Sequence, residues 1–375
     1  MNSYTQWLTQ AASDRDAAGL TRRIVVHESR SLVDLAGNDY LGLRRDQRVL
    51  ESAIAAAEQF GAGAGASRLV TGTWRVHEEL EEALAEHTGA ATALVFSTGY
   101  HANLGVLTAL ADSDTLIISD AHNHASIVDA ARLARGTVQV VPHRDVQAVA
   151  DALANRTQPR ALVVVESIFS VLGDRAPLPE LLSLVEQHDA MLMVDEAHAI
   201  GVIGDRGEGA LGALGIADHD RVVGTTSLSK SLASQGGAFF GPHLVREHLI
   251  NTARPFIYDT GLAPAAAGAA IGALEVLAQE PDLVKRVQIA SDRLAAACQV
   301  ERPDGAVLSV PMPGPHEALA AVDICLAHGI RIGCFRPPST PDGTSRLRLT
   351  AHANLTETDL DFCANALHDV VRRAH

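Results

Sequence analysis

A chain of 375 residues, 47% hydrophobic and 20% charged, has the balance of an ordinary globular protein with room for a large unit and a smaller one. Its 45 acidic residues against 30 basic ones give a formal charge of −15, and no Lys/Arg cluster offsets it, so nucleic acid is not an expected partner. Cys298, Cys325, Cys334 and Cys363 are isolated, with no Cys-x-x-Cys pair, and read as small core residues of a reducing, cytoplasmic compartment.

In chain order, Met1 to Asp16 is polar with no apolar core, so no signal peptide is expected. Residues 1–50 read as an N-terminal helix and an irregular arm that ends in a turn at Asn38-Asp39-Tyr40-Leu41-Gly42-Leu43; a helix follows through Gln59. Gly61-Ala-Gly63-Ala-Gly65-Ala66 matches a dinucleotide fingerprint on paper. That fingerprint needs a strand before it and a helix directly after it, whereas here a helix precedes and Ser67 to Thr73 delays the next one. It reads as a Gly-Ala connector.

From residue 51 to 280 a large α/β unit is expected. Short β-rich runs at 92–96, 115–119, 138–141, 161–165, 191–194, 222–224 and 238–240 alternate with helical ones, the pattern of a mostly parallel sheet with helices on both faces. Pro264 to Gln279 reads as a long Ala-rich helix, and its apolar stretch is too short and too rich in Ala, Gly and Pro to span a bilayer. Residues 281–375 change texture and suggest a small α+β unit. Its runs are 307–310, a helix from 315 to 328, 331–335, a Pro/Gly-rich loop from Pro337 to Gly343, 346–350 and a last helix from Thr356. Alternation places Arg346 and Arg348 on one face of their strand, either solvated or with one clamping a carboxylate.

In a parallel sheet ligands sit beyond the carboxyl ends of the strands. Gly99-Tyr100, His122/His124, Glu166 to Ser170, Asp195/His198 and Ser227/Lys230 all fall there. Lys230 is the one lysine in the small, hydroxyl-rich stretch Gly224 to Leu232, after a strand. A solvated loop lysine is the ordinary reading, but a desolvated lysine is what Schiff-base chemistry requires. With Asp195 and His198 upstream, the parts of a pyridoxal phosphate (PLP) site are present. Lys230 would bind the aldehyde, Asp195 would keep the pyridine nitrogen protonated, and His198 and Ser170 would serve the phenolic oxygen. The phosphate would meet backbone N–H groups where Gly99 and Tyr100 open a helix, with Ser227 adding a hydroxyl. His122 and His124 lack a third ligand at metal-like spacing, so no metal is expected. One imidazole would stack on the cofactor ring, and the other would be solvated or cap a helix.

Asn38-Asp-Tyr-Leu-Gly-Leu43, Gly72-Thr73 with His77-Glu-Glu-Leu-Glu81, Phe96-Ser-Thr-Gly-Tyr-His-Ala-Asn103, His124-Ala-Ser126, Glu166-Ser-Ile-Phe-Ser170, Asp195-Glu-Ala-His198 and Arg346-Leu-Arg-Leu-Thr350 occur in this order. Together they resemble the α-oxoamine synthases over essentially the whole chain. The resemblance implies PLP-dependent fold type I, the aspartate aminotransferase-like architecture, in a homodimer with its sites at the subunit interface. It implies an acyltransferase that condenses an amino acid with an acyl thioester and expels carbon dioxide. The compact length and the ending Ser345 to Thr350 favour the biotin-pathway reaction, joining L-alanine to a pimeloyl thioester of coenzyme A or a carrier protein, over that of glycine-using relatives. Residue by residue, it makes Lys230 the cofactor lysine and general base, Asp195 the pyridinium partner and His124 the stacking ring. Asn38 and Arg348 would hold the substrate carboxylate, Thr350 would offer a substrate-side hydroxyl, and Arg22 would contact the acyl substrate. Thr260 would reach the partner subunit's phosphate.

Overall fold

The computed structural model describes residues 2–26, 32–340 and 342–374; Pro341 of the expected loop lies outside them. Among the described residues the strands are β1 (Val33–Leu35), β2 (Thr92–Phe96), β3 (Thr115–Asp120), β4 (Thr137–Val141), β5 (Arg160–Glu166), β6 (Met191–Asp195), β7 (Val222–Ser227), β8 (Gly237–Gly241), β9 (Val307–Pro311), β10 (Ile330–Phe335) and β11 (Arg346–Thr350). Each expected run is a strand, and most extend by a residue or more at one end.

β2 to β8 form one sheet in the order β2-β8-β7-β6-β5-β3-β4. β4, β3, β5, β6 and β7 run parallel, and β8 is antiparallel to both β2 and β7. The near-continuous apolar runs follow from helices on both faces: along β3, Leu116 and Ile118 enter one core cluster and Ile117 the other, and Val163 and Val164 on β5 divide in the same way. β4 is the exception. It is an edge strand, and only its last residue, Val141, is buried.

A second sheet has the order β1-β10-β11-β9. β1 pairs in parallel with β10, Val33 opposite Ile330, so the N-terminal arm completes a sheet otherwise made of C-terminal strands. The arm carries too few apolar residues in alternation to read as a strand by itself. The same pairing brings Asn38 to Arg348, 310 residues away in the chain.

Two ionic clusters, each built on a buried carboxylate, brace the large sheet. Glu81 accepts from Arg68 Nη2 at 2.9 Å, Arg246 Nη2 at 2.8 Å and the backbone N–H of Val95 at 3.0 Å, tying the helix Arg75–Thr88 to β2. His143 sits between Asp120 (2.9 Å) and Asp174 (2.8 Å). Burial alone would disfavour a charged ring there, but the hydrogen bonds to the two carboxylates prevail and hold its pKa up at about 9. No helix among the described residues is long and apolar enough to cross a membrane.

Candidate active site

The carboxyl ends of β5, β6 and β7 lie side by side, with Glu166 opposite Asp195 and Asp195 opposite Thr225. They floor a cavity of about 220 Å³ that Gly99, Tyr100, His124, Ser227 and Lys230 also line. A larger cavity of about 670 Å³, lined by Asn38, Arg44, Arg45 and His352 among others, shares Ser229 and Lys230 with the first. Lys230 therefore stands where the two spaces meet.

Asp195 is 6% exposed, and each of its carboxylate oxygens accepts a hydrogen bond. Its Oδ1 accepts from the Ala197 N–H at 2.9 Å and its Oδ2 from Asn103 Nδ2 at 2.7 Å. Asn103 is in turn fixed by the Thr225 hydroxyl, which donates to its Oδ1 at 2.6 Å, and by Ser126 Oγ at 2.8 Å. A buried carboxylate held this firmly faces the cavity in one orientation. Asn103 had no role assigned from sequence. The signal was present, since it is the polar residue on the buried side of the helix Gly99–Leu110, among Ala102, Val106 and Leu107.

That helix begins at the cavity wall. Thr98 caps it by accepting from the His101 N–H, which leaves the N–H groups of Gly99 and Tyr100 as an anion-binding end. The backbones of β8 and of this helix start are almost in contact: a Cβ on Gly237 would lie 2.4 Å from Gly99 Cα. Ser227 lines the same corner and hydrogen-bonds Ser229 Oγ at 2.7 Å. Tyr100 donates to Asp129 at 2.6 Å.

His124 caps the helix Ala125–Leu133 through Nδ1, which accepts from the Ser126 N–H. Burial lowers its pKa, with Asp195 opposing and Lys230 assisting. His122 is neither solvated nor a helix cap. It stacks on His143 with ring centroids 4.0 Å apart, a contact no spacing in the sequence reveals. Among the described residues no group of three or more metal-capable side chains occurs.

Lys230 Nζ lies 2.7 Å from His198 Nε2. Burial pulls the lysine pKa down to about 8, with Asp195 and Glu166 opposing and Arg348 assisting. At neutral pH a usable fraction of this amine is therefore uncharged, the state in which it acts as nucleophile or base. Glu166 is pushed up to about 8 by burial and then by Asp195. Burial, with Lys230 and Arg348 as neighbouring cations, holds His198 well below its usual value. Beyond His198 stands Arg348, 4% exposed. It donates from Nε to the Ser170 carbonyl at 2.8 Å and from Nη1 to Asn38 Oδ1 at 3.0 Å. Of the two arginines placed on one face, Arg346 instead pairs with Asp342 at 2.5 Å.

Four expected residues stand elsewhere. Ser170 contributes its backbone carbonyl to Arg348, and its N–H donates to Glu166. Thr350 is fully buried and its hydroxyl donates to the Gly37 carbonyl at 2.5 Å, so in this structure it braces the turn before Asn38. Thr260 lies on the exposed surface beside Asp259. Arg22 donates to Ser339 Oγ at 3.0 Å in a separate small cavity with Phe335 and Arg336, which adds Ser339 to the residues of interest.

These groups fit a phosphorylated pyridine aldehyde: a half-buried amine, an oriented carboxylate, a ring on one side and a helix N-terminus at the far end. The fit has two further marks, since Thr226 Oγ1 and Glu166 Oε1, both lining the cavity, are buried without a partner.

The family described as aminotransferase class I and II matches residues 30–367, and the chain belongs to it. Its curated relatives narrow the family. An 8-amino-7-oxononanoate synthase of Mycobacterium sp. (strain JLS) is 53% identical over 370 residues, 98% of this chain and 97% of that protein. One of Mycolicibacterium smegmatis is 51% identical over the same shares. Among solved structures, a serine palmitoyltransferase from S. paucimobilis with bound PLP–myriocin aldimine covers 100% of this chain and 99% of its own, at 28% identity and TM-score 0.92. An 8-amino-7-oxononanoate synthase from Francisella tularensis, at 24% identity and TM-score 0.79, covers 92% of this chain and 98% of its own and shares the fold.

Proposed function

We propose that the chain is a PLP-dependent acyltransferase that joins L-alanine to a pimeloyl thioester, releasing carbon dioxide, the free thiol and 8-amino-7-oxononanoate. The observation that carries the reading is the position of Lys230, a half-buried amine with a lowered pKa between the Asp195 cavity and the Arg348–Asn38 pair. The identity to curated synthases of that name supports the choice of substrates.

The cofactor, when bound, supplies an electron sink for the carbanion formed at the amino acid Cα. Asp195, fixed by Asn103 and Ala197, holds the positive charge that such a sink needs at the ring nitrogen. His124 would hold the ring with its imidazole, and the N–H groups opening the helix Gly99–Leu110 would hold its phosphate. Arg348 binds the amino acid carboxylate, with Asn38 steadying the guanidinium. Lys230 Nζ is placed to take the Cα proton, as a positioned base of suitable pKa. The larger cavity, open to Lys230 and edged by Arg44 and Arg45, admits the thioester.

The chain works as a homodimer in this reading. Leu69, Val70, Trp74 and Tyr258 are exposed apolar side chains near Thr260, and the Gly261 N–H donates to the Ala66 carbonyl, which joins the two segments into one patch. Such a patch suits a subunit interface, and it would bring Thr260 toward the phosphate site of the partner.

The test is thiol release by the PLP-loaded protein from pimeloyl-coenzyme A with L-alanine or with glycine. Release with alanine supports the proposal, release with glycine alone replaces it by a glycine-using reaction, and release with neither overturns it. Lys230→Ala should fold, show no visible absorbance from lysine-bound cofactor and release no thiol; retained turnover would remove Lys230 from its role.

A further inference from the structure

The hydrogen bonds at Lys230 continue behind the cavity along a path the reaction above does not use. His198 Nε2 meets Lys230 Nζ at 2.7 Å, and His198 Nδ1 meets Tyr40 Oη at 2.6 Å. Tyr40 Oη lies 3.1 Å from Asn38 Oδ1, which also accepts from Arg348 at 3.0 Å. Tyr40, in the middle of this chain, is 0% exposed.

Counting hydrogens sets the direction of each bond. A guanidinium only donates, so the Asn38 atom facing Arg348 is its oxygen, and Tyr40 must donate to it as well. A tyrosine hydroxyl has one hydrogen. With that hydrogen spent on Asn38, Tyr40 Oη accepts from His198, so Nδ1 carries the ring proton. Burial and the cations around His198 keep the ring neutral, and Nε2 is therefore bare. Its lone pair accepts a hydrogen from the Lys230 amine.

We propose that Tyr40 is a positioning residue that fixes His198 as the neutral Nδ1-protonated tautomer, aims a lone pair at Lys230, and ties that arrangement through Asn38 to Arg348. The lysine and the arginine are thereby held by one continuous set of bonds. The groups facing Lys230 are Asp195 from the end of β6, Glu166 from the end of β5, Arg348 from β11, His124 before the helix Ala125–Leu133, and His198. Removing one hydroxyl leaves all of them in place. It does strand the Nδ1 hydrogen against an apolar ring, so the imidazole changes to the Nε2-protonated form and donates to Lys230. A donor there favours the uncharged amine, whereas the lone pair favoured the charged one.

The experiment compares the cofactor-free wild type with Tyr40→Phe by ¹⁵N NMR of the histidine side chains, the His198 signals being assigned by their loss in His198→Gln. The expected result is an Nδ1-protonated ring in the wild type and an Nε2-protonated ring in the variant. The pH profile for PLP loading onto Lys230, read from visible absorbance, should move down by about half a unit in Tyr40→Phe. An Nε2-protonated wild-type ring overturns the proposal. So does a variant that keeps both the tautomer and the loading midpoint, even one that melts earlier. If Tyr40→Phe does not fold, the wild-type spectrum alone decides. The loading measurement rests on the PLP reading and the NMR measurement does not, so failure to load with the expected tautomer present would count against the cofactor only.

Discussion

Replacing Gly237 by alanine tests whether the start of the helix Gly99–Leu110 is the phosphate end of the site. Gly237 opens β8, paired to Phe96 on one side and Ser227 on the other, so its backbone cannot move freely. An added Cβ would stand 2.4 Å from Gly99 Cα, 2.5 Å from Gly99 N and 2.5 Å from Thr98 C, all backbone atoms. Restoring ordinary van der Waals separation requires the helix start to retreat by about 1 Å, because two paired strands hold the other side. Overpacking of this kind costs about 1–3 kcal/mol of stability. The displaced N–H groups should also weaken PLP binding about tenfold or more, since a displacement near 1 Å spoils the geometry of fixed donors. Urea unfolding of the cofactor-free protein measures the first effect, and absorbance titration with PLP measures the second. Gly63→Ala is the control, because a Cβ there meets nothing within 4 Å. A Gly237→Ala protein that is less stable yet binds PLP with wild-type affinity would refute the assignment of this helix end to the phosphate.

Two further outcomes concern the braces of the fold. Glu81→Gln should lower stability by about 3 kcal/mol in urea unfolding, because Arg68 is left buried and uncompensated while Arg246, 30% exposed, can turn to water. His143 has a folded pKa of about 9 against an ordinary 6.5, so the stability it contributes is complete below pH 6.5 and is lost as pH rises through about 9. His143→Gln should remove that part of the fall, and a variant with the wild-type slope over this range would refute the ion-pair account.

The large sheet was legible because its strands are buried on both faces and so announce themselves as apolar runs. The strand-end rule then placed Asp195, His198, Ser227 and Lys230 around one space, and the cavity is found there. What spacing does not carry is how a side chain spends its hydrogen bonds. Thr350 lies two residues from Arg348 and reads as its companion, yet its hydroxyl is taken up by Gly37. Ser170 reads as a hydroxyl donor, yet the contact that matters to Arg348 is its carbonyl. His122 lacks a partner in sequence and finds one in His143, in the loop that follows the neighbouring strand β4.

The arm shows why local pattern fails for the remaining half of the site. Val33–Leu35 is three residues long, below what alternation can reveal, and it becomes a strand only because β10 offers a free edge. That pairing is long-range, and its consequence is chemical. Asp195 ends a strand of the seven-stranded sheet and Lys230 and His198 follow such strands, whereas Arg348 belongs to the four-stranded sheet and Asn38 to the segment after β1. The half of the site around Lys230 and Asp195 and the half around Arg348 and Asn38 are thus carried on separate sheets, and they meet through Tyr40, which bonds His198 on one side and Asn38 on the other. A residue whose work is to join two sheets has no periodicity of its own to betray it; only the two partners, once placed, identify it.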